Sequence, residues 1–189
     1  MALPKYQDIR VKATSWMIKG MLMSVLAGVV FVVFEMIASL ILQGDVLQPL
    51  RMIGAILLTD DGLEPGYPLV NAISVAMVIH VLLSGFYGLV FGGIVLAFPA
   101  LARNRVTIIA TTTIFGLLLW LLNFYVIAPA AEFTWFANAN PVVQFIAHAF
   151  FYGSSLGILL ASRKYRAMEQ DDERSKPAVQ GRQKQAASR

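Results

Sequence analysis

Glu35, His80, Asn123 and His148 interrupt stretches of sequence that are otherwise apolar. His148 stands in "IAHAFFYGSSLG" (146–157) and His80 in "IHVLLSGFYGLVFGG" (79–93), each a few residues ahead of a tyrosine, Tyr152 or Tyr87. Imidazoles on two helices can supply both axial ligands of a haem b, with aromatic rings and glycines making room for the macrocycle. Glu35 with the two histidines suits several transition metals, because imidazole and carboxylate are both common ligands. A quinone-like molecule would use the same His, Glu and Tyr groups. The plainer reading is an internal hydrogen-bond network, in which Asn and His across helices contribute only about 0.6 kcal/mol each but fix which faces meet. In every case a carboxylate at membrane depth must be paired, protonated or wet. Trp120 and Gln144 are expected to flank the site.

Other chemistry finds little support. The chain has no cysteine, which removes disulfides, thiolate metal sites and thiol catalysis. No serine sits in a nucleophile motif and no Gly-rich phosphate loop appears, so an enzyme is not expected. Against transport, the inner two-thirds of the apolar stretches carry no ladder of polar groups. "TTT" at 111–113 is the polar run there, and threonines readily bond to their own preceding turn. The net charge of +4 sits at the chain ends and in one short loop, which reads as membrane topology and not as nucleic-acid binding.

The elements that must position these residues follow from composition. The chain is 58% hydrophobic and 14% charged, against about 45–50% and about 25% for soluble domains. A bilayer core about 30 Å thick takes roughly 20 helical residues, and the segments 16–43, 69–98, 106–128 and 141–162 qualify. The fold class expected is an all-α, four-transmembrane-helix bundle over 16–166, with a segment 1–15 before it and a polar, disordered tail 167–189. Pro68 and Pro141 mark the starts of the second and fourth spans, and Pro99 and Pro129 follow the second and third as stop signals.

Loop charges set the orientation. Lys5, Arg10, Lys12 and Lys19 precede the first span, Arg103 and Arg105 join the second to the third, and Arg163, Lys164 and Arg166 follow the fourth. The other two loops carry Asp45, Asp60, Asp61, Glu64 and Glu132 against Arg51. The positive-inside rule then puts both termini in the cytoplasm and the protein in the cytoplasmic membrane. At about 1.5 Å per residue, Glu35 lies about 24 Å from Lys19, Asn123 about 27 Å from Arg105, and His148 about 22 Å from Arg163. With His80 about 28 Å from Pro99, the group falls in the outer third of the bilayer. The apolar piece 50–58 is too short to span and is expected to lie in the interface or to re-enter shallowly. Phe133, Trp135 and Phe136 suit an interfacial belt.

The spans also read as two copies of one hairpin. Phe86-Tyr87-Gly88 is followed by Gly92 and Phe151-Tyr152-Gly153 by Gly157 at the same spacing, while Gly28 precedes Glu35 by the same seven residues that separate Gly116 from Asn123. Gly88-x3-Gly92 and Gly153-x3-Gly157 are small-residue patterns that let helices approach closely, either within the bundle or onto another chain. The role expected first is a structural or accessory subunit packing through these glycine faces in a homo-oligomer or larger membrane complex. The alternative is a redox-cofactor protein using His80 and His148, and the third reading is a small transporter.

Overall fold

The computed structural model describes residues 4–162 apart from Pro65, and among these every regular element is helical. The basic cluster Arg163, Lys164 and Arg166 and the tail 167–189 lie outside the described residues. Helix α1 (Pro4–Gln43) is followed by α2 (Gln48–Leu58), α3 (Leu69–Ala97), α4 (Arg105–Ala130) and α5 (Pro141–Ser162). Within these, Trp16–Gln43, Leu69–Ala97, Arg105–Ala130 and Pro141–Ser162 are long and apolar enough to cross a membrane. Their outward faces carry Leu22, Leu26, Val33, Ile37, Val78, Leu82, Leu118 and Phe150, all exposed. A soluble monomer rarely shows so continuous an apolar surface, which is compatible with a multi-pass membrane protein.

Local sequence explains the helix ends. Asn104 caps α4 by accepting from the Thr107 N–H at 2.9 Å, and Asn140 caps α5 through Val142 and Val143. Gly44, in the left-handed region, turns α1 into α2, and Ser39 Oγ closes that turn on the Asp45 carbonyl at 2.6 Å. Pro129 differs from the expectation of a stop after the third span, because α4 runs through it to Ala130. Residues Asn123–Ile127 form a π-helical turn in which the Ala128 N–H reaches the Asn123 carbonyl. The next N–H in that register would come from Pro129, which has none, and the wide turn ends there. A second π-helical stretch, Ala147–Ser154, lies in α5.

Glycines decide which helices touch. Helix α1 packs along α3, and α4 along α5. A Cβ on Gly88 would fall on the Gly20 carbonyl and Ser24, and one on Gly92 would meet the backbone at Trp16 and Met17. On the other side Gly116 faces the His148 carbonyl, Gly153 the Thr112 carbonyl, and Gly157 faces Thr112 and Ile109. Gly28 lies under Ser84 and His80. The two pairs join where α1 meets α5, with Phe34 and Phe151 stacked at 3.8 Å. A core of Met23, Ala27, Phe91, Ile108, Phe115 and Leu156 fills the middle. Helix α2 lies across α3 and α1, with Gly54 against the Ala72 carbonyl.

Backbone atoms meeting a new methyl group have little room to give, so Gly88→Ala should cost about 1–3 kcal/mol of stability. Gly93, whose Cβ would meet nothing within 4 Å, should tolerate alanine without loss. Thermal unfolding of the two variants in detergent checks the contrast; equal melting temperatures would count against backbone contact at Gly88.

Candidate functional site

A cavity of about 270 Å³ opens among all five helices near α2. Its wall includes Phe31 and Glu35 from α1, His80, Ser84 and Tyr87 from α3, Leu119, Asn123 and Phe124 from α4, and Gln144, His148 and Tyr152 from α5. The six side chains singled out in the sequence (Glu35, His80, Asn123, His148, Tyr87 and Tyr152) thus line one space. Gln144 joins them as expected, whereas Trp120 does not line the cavity. Its ring packs edge-on against Tyr125 and Phe145, and its buried Nε1 has no partner among the described residues.

Each polar group is held by a neighbouring helix or turn. His80 Nε2 donates to the Gly28 carbonyl at 2.9 Å, and His148 Nδ1 donates to the Gln144 carbonyl at 2.9 Å. A carbonyl only accepts, so each bonded nitrogen carries the proton and the other is an acceptor in the neutral ring. Phe31 lies between the imidazoles, stacked on His80 at 5.9 Å and edge-on to His148 at 4.7 Å. Tyr87 donates to Asn123 Oδ1 at 2.7 Å. Ser24 gives its hydrogen to the Ser84 carbonyl at 2.5 Å, so the 2.6 Å contact with Tyr152 is donated by the tyrosine. That chain ties α5 to α1 and α1 to α3.

Glu35 is 7% exposed. Gln144 Nε2 donates to its Oε2 at 2.7 Å, while Oε1 is buried without a hydrogen-bond partner. The same Glu35–Gln144 pair walls a second, smaller pocket whose other sides include Ser39, Gln43, Gln48 and Asn140. The pair therefore stands between the larger cavity and this smaller pocket.

The π-helical turns contribute directly. Asn123 lies on one, and His148 and Tyr152 lie on the other. Such turns shift the side chains that follow relative to an α-helical register, and they concentrate at functional sites.

The sequence marked 50–58 as a short apolar piece but did not place it in the cavity wall. Pro49, Met52, Ile53 and Ile56 of α2 face the cavity, and their spacing of three, one and three residues is an amphipathic-helix signature. Phe133 and Phe136 also turn into the cavity wall instead of serving only as an interfacial belt. Trp135 Nε1 donates to the Met52 carbonyl at 3.0 Å and ties this loop to α2. Ser24 and Ser84 were missed as well, because a lone serine in an apolar helix usually bonds to its own preceding turn.

The donor set bears on the expected cofactors. Among the described residues no three His, Asp or Glu side chains gather as an ion would require. A haem held by both imidazoles would need the space that the Phe31 ring fills. Comparisons of the chain with protein-family models, curated proteins and solved structures return no match.

Removing the middle of the serine–tyrosine chain should cost more than removing its end. Ser24→Ala strands the buried Tyr152 hydroxyl, for about 1–3 kcal/mol, whereas Tyr152→Phe should cost about 0.6 kcal/mol. Detergent unfolding curves of both variants decide the order, and a larger loss from Tyr152→Phe would contradict the donor assignment.

Proposed function

We propose that this is a multi-pass membrane protein that binds a small lipid-soluble organic molecule in the cavity beneath α2. The carrying observation is convergence: polar side chains from four long helices meet in one space whose remaining wall is aliphatic and aromatic. A concave apolar site with a few placed polar groups is the usual form of a ligand pocket. At about 270 Å³ it suits a compact ligand, near the lower end of the range of about 300–1,000 Å³.

The topology belongs to this reading. The chain is a four-helix bundle of two tandem hairpins, α1–α3 and α4–α5, with both termini in the cytoplasm and the cavity towards the outer face. Equivalent positions support the duplication. Tyr87 and Tyr152 each reach across to the other pair, to Asn123 and Ser24. Gly88 and Gly153 each press on the first helix of their own pair. A structural subunit docking through its glycines finds less support, because these glycines lie against helices of the same chain. An oligomer or larger complex would use other parts of the lipid-facing surface.

The test is organic extraction of the purified protein followed by mass spectrometry. Ala128 is buried in the cavity wall, and Ala128→Phe should fill the space. The expected result is a compound enriched with the wild-type protein and lost in this variant. Equal extracts from both would overturn the reading. A haem band in the optical spectrum, lost in His80→Ala and in His148→Ala, would replace it with the cytochrome reading.

A further inference from the structure

Among the described residues, Glu35 is the one Asp or Glu in the cavity wall, and no Lys or Arg lines it. Its partner, Gln144, is neutral, and its second oxygen is buried without a partner among the described residues. A carboxylate so placed is costly unless a cation or a proton neutralises it. The other ionisable side chains facing the cavity are His80, His148, Tyr87 and Tyr152. Both tyrosine hydrogens are spent on Asn123 and Ser24. Each histidine has its N–H turned to a main-chain carbonyl, which leaves an acceptor nitrogen in the neutral ring. Around this centre stand the rings of Phe31, Phe124, Phe133 and Phe136. Aromatic faces attract cations, above all desolvated quaternary ammonium groups.

We infer that the cavity takes a small hydrophobic organic cation, an aryl or alkyl ammonium, whose charge pairs with Glu35 and rests against the aromatic wall. The inference rests on the cavity being a ligand site and names what that site selects. A second, smaller pocket on the other side of Glu35 and Gln144 adds the polar side chains of Ser39, Gln43, Gln48 and Asn140 near the carboxylate.

The experiment is equilibrium dialysis of the full chain in lipid nanodiscs, with empty discs as the blank. Two radiolabelled probes of nearly the same shape are compared: phenyltrimethylammonium and its neutral isostere tert-butylbenzene. Saturable uptake of the cation is expected, with clear preference over the isostere. Glu35→Gln should weaken cation uptake by a factor on the order of thirty or more, as loss of a buried charge partner does. Glu35→Asp should keep the preference. Uptake of the isostere as strong as that of the cation would overturn the inference and leave the cavity reading standing. So would cation uptake unchanged in Glu35→Gln. Saturable uptake of neither probe would overturn both. Should the glutamine variant not fold, the wild-type preference between the probes still decides.

Discussion

Close backbone contact between helices is the constraint on which the rest depends. In lipid no hydrophobic force draws one apolar helix to another, so association relies on packing and on hydrogen bonds between helices. Gly20 against Gly88 and Gly116 against the His148 carbonyl bring α1 to α3 and α4 to α5 at backbone distance. Towards α2 the side chains become large: Phe31, Tyr87, Phe124 and Tyr152 stand where glycines would allow contact. The glycines close each pair of helices, and the chamber lies between the pairs, among these rings.

Hydrogen bonds then set the position of the two pairs. Tyr87 to Asn123, Tyr152 to Ser24 and Gln144 to Glu35 all cross between the pairs. Each is worth little on its own, but a buried donor or acceptor without its partner is expensive. The network therefore specifies the arrangement more than it strengthens it. Glu35 Oε1 is the exception, a buried acceptor with no hydrogen-bond partner among the described residues.

The cover is made from two short segments outside the long helices. Helix α2 alternates its faces, and the loop carrying Phe133, Trp135 and Phe136 folds back to meet it through the Met52 carbonyl. Both are short elements, joined to each other by the Trp135–Met52 hydrogen bond. The core deeper in the molecule, around Phe91, Phe115 and Leu156, is built by the long helices alone.

Much of this was legible along the chain. Hydropathy identified the long helices, Pro68 and Pro141 marked two of their starts, and the isolated polar residues Glu35, His80, Asn123 and His148 lie in the cavity wall. Those signals are local: a helix needs only its own residues to form, and a polar group within an apolar span stands out against its neighbours. The sequence by itself thus determined the helices and the polar inventory of the site. Only the tertiary structure decided that α2 and the aromatic loop close the cavity, that Phe31 separates the histidines, that Ser24 serves Tyr152, and that Trp120 faces elsewhere. These depend on distances between residues far apart in sequence, and on π-helical turns that shift the register by less than hydropathy can register. Which face of a helix meets which partner is set by contact, and contact exists only after the chain has packed.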